Sequence, residues 1–391
     1  MAIYMWREYD WLCFTANTAG STITLNKNWS PTSVTLETSA DWTNWSTYTF
    51  WTTITLSNVW DKVYFRNTST TTTWFNLNQD SNNYRFAMTW SIAWSWDINY
   101  LLNKNSTDTL SNRCFAWLFS GCTSLTSTPN LTATTLSNYC YRSMFYGCTN
   151  LVKISWLSAT TLGSESCGYM FYWCTSLASL PTLNFTTVAS SCCEQMFRDC
   201  TSLTITPNLP ATTLASGCYR AMFSWCTSLT NIKWLPATTL ANGCYANMFS
   251  RCTSLTTPPS LPVMTLPQNC YYWMFNWCIS LTSAPSLPAT SLSWSQCYRE
   301  MFNWCTSLSS IPKLPATTLS NYCYMEMFKW CSNIKISTTR TWAYQNEYRI
   351  PTTWTWSTWT WSFKDMFTNT WWTFTWTPSI NTTYYTSNTV V

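Results

Sequence analysis

The chain contains no histidine, and only 7 of its 391 residues are glycine. An ordinary soluble chain is roughly 7% glycine, or about 27 at this length. Without histidine there is no imidazole acid/base chemistry, no Ser/His/Asp or Cys/His triad, and no zinc site that needs imidazole. Charged residues make up only 9%, so the net charge of +5 cannot assemble the large basic patch that nucleic-acid binding demands. No run of about 18 apolar residues occurs, so neither a transmembrane helix nor membrane insertion is expected. The opening residues, Met1 to Gly20, lack an apolar core and a small-residue cleavage site, so no standard secretory signal is read there.

What the chain does have is 29 Trp, 20 Cys and a hydrophobic content of 46%, ample for a core. The cysteines fall on a period. One column is Cys122, Cys148, Cys174, Cys200, Cys226, Cys252, Cys278, Cys305 and Cys331, in steps of 26 residues with a single 27. A second column precedes it by eight residues, or seven in one unit: Cys114, Cys140, Cys167, Cys192, Cys218, Cys244, Cys270, Cys297 and Cys323. Only Cys13 and Cys193 fall outside. A fixed period of this size marks a stacked array, because one unit alone cannot bury its apolar stripe.

The unit reads C-Y-x-x-M-F-x-x-C-T-S-L-T-x-x-P-x-L-P-A-T-T-L, as at Cys244 to Leu255 and Leu235 to Leu240. Cys, Met and Cys at i, i+4 and i+8 predict a short helix with a buried face. The Thr-rich segment that follows ends at proline, as in Leu281 to Pro285, and suits a short strand. Within such a helix the two cysteines of a unit stand about 12 Å apart, too far for a disulfide. The thiols are expected as a buried ladder of small hydrophobes; between coils the spacing allows a disulfide, although nine members per column cannot all pair.

These residues resemble the BspA-like leucine-rich repeats of bacterial surface proteins, in a 26-residue version carrying C-Y-x-x-M-F-x-G-C-T-S-L and LPATTL. The match spans about residues 105 to 335. The resemblance implies a leucine-rich-repeat solenoid, display at the cell surface or outside the cell, and adhesion to a protein or glycan on another cell or host surface.

One column departs from the pattern. Before the second Cys stand Gly121, Gly147, Trp173, Asp199, Trp225, Arg251, Trp277, Trp304 and Trp330. A left-handed position there suits glycine and costs a bulky residue roughly 1–2 kcal/mol. Asp41-Trp42, Trp60-Asp61 and Trp371-Trp372 would also be good turns if Trp were Gly, and residues 353–362 would be a Gly/Ser/Thr linker. These patterns suggest that UGA glycine codons have been translated as Trp, with some Trp, such as Trp45, genuine. Trp173, Trp225, Trp277, Trp304 and Trp330 should then be exposed at helix ends. The rival reading is an aromatic stripe for sugars or bases.

The expected fold class is an α/β repeat solenoid, a short helix plus a short strand per coil, with an N-terminal antiparallel β-sandwich-like domain. The expected domains are a β domain at 1–98, about nine repeats at 99–335 and an irregular cap at 336–391. Strands are read at Thr22–Leu25, Val34–Glu37, Tyr48–Phe50, Thr53–Leu56 and Lys62–Phe65. Phe363 to Phe367 resembles half a unit. LPATT resembles a sortase signal, but it is internal, repeated and followed by no glycine.

No catalytic, cofactor-binding or metal-ligating residue is nominated, and no cofactor is expected. Glu165, Glu194, Glu300 and Glu326 occupy variable repeat positions, and nothing selects two of them as a glycosidase pair. The expected function is non-enzymatic adhesion or binding through the repeat face. The alternative is a structural spacer or scaffold, phage-borne, without a dedicated ligand.

Overall fold

The computed structural model describes residues 11–27, 34–68, 84–95, 98–102, 109–350, 360–372 and 377–391. Residues 353–359 of the proposed Gly/Ser/Thr linker and the first ten residues of the opening segment lie outside them.

Eight strands form the amino-terminal part: β1 (Leu12–Ala16), β2 (Ser21–Lys27), β3 (Leu36–Ser39), β4 (Ser46–Thr47), β5 (Thr53–Leu56), β6 (Lys62–Asn67), β7 (Tyr84–Thr89) and β8 (Ile92–Ser95). Five pair antiparallel in the order β4-β3-β6-β1-β8, and three in the order β5-β2-β7. The alternation in Ser21–Lys27 buries Ile23 and Leu25, as a half-buried strand requires. Tyr48–Phe50 is not a strand; Tyr48 instead turns inward and its hydroxyl donates to the carbonyl of Thr52 at 2.6 Å.

The repeats overturn the expected α/β solenoid of helix plus strand. Among the described residues the helical elements are two short 3-10 turns, Ile98–Leu101 and Thr360–Phe363, and neither lies in a Cys-to-Cys stretch. That stretch is a ribbon of consecutive turns with a left-handed residue at every fourth position. In the coil around Met144 these are Tyr139, Ser143 and Gly147. Each is the third residue of a hydrogen-bonded turn: Cys140 N–H donates to Ser137, Met144 to Tyr141, and Cys148 to Phe145. A positive φ at the third residue is the type II arrangement.

The remaining donors leave the coil. Tyr139, Tyr141, Ser143, Phe145 and Gly147 N–H groups donate to the carbonyls of Ser164, Ser166, Gly168, Met170 and Tyr172 in the next coil. Donors thus alternate between the turn's own carbonyl and the neighbouring coil, and none of these buried amides is left unpaired. A helix would have spent all of them internally. Ribbon and helix bury nearly the same residues, since a period of four also aligns Cys140, Met144 and Cys148, all fully buried. Nine residues are too few to separate a period of 3.6 from one of 4.0.

The register revises one column. Tyr141 N–H meets Ser166 O, and Cys167 N–H meets Cys192 O. Ser166, buried, therefore holds the first Cys position of its coil, while Cys167 and Cys193 stand in the Tyr141 and Tyr219 column.

Two-residue parallel strands or single parallel bridges complete the coils, with Thr135 opposite Thr161, Thr161 opposite Thr187 and Thr213 opposite Thr239. The core is a set of ladders. Phenylalanine rings stack from Phe86 of β7 through Phe119, Phe145, Phe171 and onward to Phe328 and Phe367, with centroids 5.1 to 5.9 Å apart. Tyr219 to Tyr324 form a second stack that ends on Phe363. Both ends are covered. Phe86 N–H donates to Leu118 O at 2.9 Å. At the other end, Phe328 N–H donates to Met366 O at 3.0 Å, so residues 360–372 add a further ribbon. Strands Lys335–Ser337, Asn346–Ile350 and Thr382–Thr386 form a terminal sheet with Trp371–Trp372.

Every cysteine is buried and unbridged. The nine thiols of the column from Cys122 to Cys331 do more than fill space. Each donates to the carbonyl of a phenylalanine one coil earlier, from Cys122 to Phe86 through to Cys331 to Phe302, at 2.9 to 3.2 Å. Burial raises all nine thiols, Cys122 to about 12.

Two outcomes follow. Phe223→Ala, in the middle of the ring stack, should cost about 3–5 kcal/mol and lower Tm measured by thermal melting. The thiols also make stability fall with alkali. Their folded pKa values exceed the unfolded thiol value of about 8.5. Their stabilising contribution is therefore complete below that pH and is lost as pH rises through the folded values. Denaturant titrations should show constant stability near neutrality and a decline above about pH 9. The nine thiols should resist alkylation at pH 7 until the chain unfolds.

Candidate functional site: the turn wall

The ribbons line up as one wall of the stack, and its outward side chains are the chain's most distinctive surface. Left-handed residues point outward there because the residues between them, Cys, Tyr, Met and Phe, fill the core. The wall carries two bands.

The first band is Tyr, Arg and Glu. Arg142 lies over Tyr139 and Tyr169, with its guanidinium carbon 5.8 and 5.0 Å from the ring centroids, and it pairs with Glu165. Arg198 lies 5.5 Å over Tyr172 and bonds Gln195, whose amide donates to the Tyr169 hydroxyl at 3.0 Å. Further along, Arg299 lies between Tyr272 and Tyr322 at 5.7 and 5.8 Å. These side chains are half-buried. Burial, then the neighbouring Glu194 carboxylate, raises the Tyr169 phenol, and burial raises Tyr172 and Tyr272.

The four carboxylates singled out in the sequence sit in this band, each beside a cation. Glu165 pairs with Arg142, Glu194 with Arg220 at 4.0 Å, Glu300 with Arg299 at 3.1 Å and Glu326 with Lys329 at 2.9 Å. Each is held by a neighbouring cation on the wall rather than aimed into a cleft. Among the described residues no cluster of three His, Cys, Asp or Glu side chains is placed to hold a metal.

The second band is the column before the second Cys. All nine of its members have positive φ, from Gly121 at 77° to Asp199 at 61°. Trp173, Trp225 and Trp330 are 53%, 37% and 38% exposed, at turns rather than helix ends. Trp277 and Trp304 are half-buried because they stack face to face, 4.4 Å apart. Trp330 continues that stack at 4.6 Å. Arg251 is sandwiched between Trp225 and Trp277 at 4.3 and 4.9 Å. In the Trp277–Trp304–Trp330 stack the ring faces are spent on one another, which is unfavourable for stacking a sugar or a base there.

Away from the wall, an open groove of about 440 Å³ lies beside β3 and β5, lined by Thr38, Ser39, Asn44, Thr55, Asp61 and neighbours. The adjacent Asp41 carboxylate is fully used, accepting from the amides of Thr43 and Asn44, the Asn44 side chain and the Ser39 hydroxyl, and these bonds hold it below the usual carboxylate range. It is a turn cap.

Sequence reasoning did not find the Tyr/Arg band, because its members are spread over variable positions that align only once the register is known. Gly217, Gly243, Asn247 and Asn269, which favour left-handed backbone, were the available signal for the turns.

No protein-family model, curated protein or solved structure matches the chain. Among the described residues, no helix is long and apolar enough to cross a membrane.

The wall's ion pairs should matter little to folding. Arg142→Gln and Arg299→Gln should each cost under about 1 kcal/mol, because partly exposed pairs are solvent-screened. Chemical denaturation of the two variants checks this.

Proposed function

We propose that the chain is a non-enzymatic binding protein that engages a protein surface through the Tyr/Arg band of its turn wall, acting at the cell surface or outside the cell. The observation that supports this most is the band's composition. Tyr and Arg are enriched at the centres of protein interfaces, where large rings and planar cations contribute contact at low entropic cost. Here they are already held in place by cation–π contacts and ion pairs, from Tyr139 to Tyr322. Pre-organised side chains lose less freedom on binding. The resemblance to surface-displayed repeats points the same way. Glu165, Glu194, Glu300 and Glu326 are each occupied by a cation, which leaves the wall poorly suited to hydrolysis.

A glycan partner is a weaker fit. The indole faces that would stack on sugar rings cover one another in the Trp277–Trp304–Trp330 ladder.

A second reading is supported by a different feature. The ring stack runs unbroken from Phe86 to Phe367 and is covered at both ends, which suits a stiff spacer of fixed length. Arrays of immobilised proteins and glycans, probed with the folded chain, separate the two. Binding to discrete proteins that weakens about tenfold in Arg142→Gln and Arg299→Gln, with melting unchanged, is expected. Binding that is insensitive to both variants overturns the assignment of the band. No binding on either array favours the spacer.

A further inference from the structure

Backbone conformation sorts the tryptophans into two kinds. Among the described residues thirty non-glycine residues have positive φ, and eleven of them are Trp: 42, 51, 60, 90, 117, 173, 225, 273, 277, 304 and 330. In the whole chain, Trp is 29 of 391 residues. Left-handed backbone belongs mainly to Gly, Asn and Asp, and a bulky side chain there is an outlier. An enrichment of the largest side chain at such positions has no conformational cause.

The amino-terminal sheets give the sharpest case. In the repeats the ribbon imposes positive φ on many residue types, from Ser143 to Tyr322. No such ladder constrains the loops between β2 and β8. Among the described residues 11–102, the left-handed positions are Gly20, Trp42, Trp51, Trp60 and Trp90, that is, Gly or Trp every time.

Nine of the eleven are third residues of hydrogen-bonded turns, a type II position where glycine is required or strongly preferred. Thr52 N–H donates to Thr49 O across Trp51, Asp61 to Asn58 across Trp60, and Cys226 to Phe223 across Trp225.

Outside the Trp277–Trp304–Trp330 stack and the Arg251 sandwich, some of these side chains contribute little. Trp60 and Trp90 are 73% and 65% exposed. A Cβ built on Gly121 or Gly147 meets nothing within 4 Å. Space does not select glycine in that column; φ does.

Trp45, of the other kind, is packed as a tryptophan usually is. Trp45 has no positive φ, packs 5.3 Å from Trp11, lies 4.1 Å under Arg66 and donates its indole N–H to Trp42 O at 3.1 Å.

We propose that these eleven positions carry glycine in the protein its source cell makes, the codon UGA being read there as glycine, while Trp11 and Trp45 are true tryptophans. Glycine, 7 where about 27 are usual, then rises to 18, so about half of the shortage is a matter of decoding. The Trp225–Trp330 ridge disappears, and the Tyr/Arg band becomes the prominent feature of the turn wall. The proposal does not rest on the binding function, because Tyr139, Arg142, Tyr169 and Arg299 are untouched by it.

Peptide mass mapping of the protein purified from its source cells tests it. Peptides spanning residues 51, 60, 90, 173, 225, 277, 304 and 330 should be lighter by one Trp-to-Gly difference per site, and peptides spanning 11 and 45 should carry Trp. Indole masses at the turn sites overturn the proposal, as do UGG codons there in the gene. A second measurement uses chains made from synthetic genes. The chain with glycine at all eleven sites should melt higher than the chain with tryptophan at all eleven; an equal or lower melting temperature counts against the proposal.

Discussion

Everything in the repeats depends on where alternate backbone N–H groups go. Tyr139, Tyr141, Ser143, Phe145 and Gly147 donate to the next coil, and that choice sets the rest. It leaves Cys140, Met144 and Cys148 to close turns by bonding three residues back. Those turns force left-handed backbone at every fourth residue. They also bring identical residues of successive coils into face-to-face stacks, as in the phenylalanine ladder near 5.5 Å. A lone coil would have no acceptor for half of these donors, so the ribbon exists only as an array.

The thiol ladder is a second consequence of that geometry. Each Phe carbonyl of the ribbon already accepts a turn bond, as Phe145 does from Cys148 N–H, and has a lone pair left facing the next coil. A Cys Sγ fills it, as Cys174 does at 3.2 Å. A cysteine is small enough to be buried there and is still a weak donor. Nine of the twenty cysteines thus act as donors in a dry core, and none of the twenty is bridged.

Much of this was legible in the sequence, and the part that was not has a physical cause. The 26-residue period, the burial of Cys, Met and Phe, and the left-handed column before the second Cys can all be read from spacing and residue type. The helix could not be told from a ribbon, because both place residues i, i+4 and i+8 inward. What distinguishes them is hydrogen bonding between coils, which no single unit encodes. The Cys167 register was misread for the same reason: counting cysteines aligns Cys167 with Cys140, whereas the ladder aligns Ser166 with it. The Tyr/Arg band was invisible because Tyr139, Arg142, Tyr169 and Arg299 become neighbours only through that register. Gly243 and Asn247, four apart, were a hint that the backbone is left-handed there.

The single 27-residue step shows how the stack deals with error. Thr265 still bridges Ser291 at 26, but Asn269 and Gln296, the first left-handed residues of their ribbons, are 27 apart. The extra residue is therefore taken up between Ser291 and Gln296, at an exposed corner around Ser293 and Trp294, and the ribbon beyond it resumes with Tyr298 N–H on Cys323 O. The corners act as expansion joints. Single-residue insertions can collect there without disturbing ring or thiol ladders, while the ribbons tolerate change only one whole coil at a time. Length in this molecule is consequently a counted quantity: gene duplications or deletions of one unit would move the two covered ends apart or together by one rung and leave every other rung as it was.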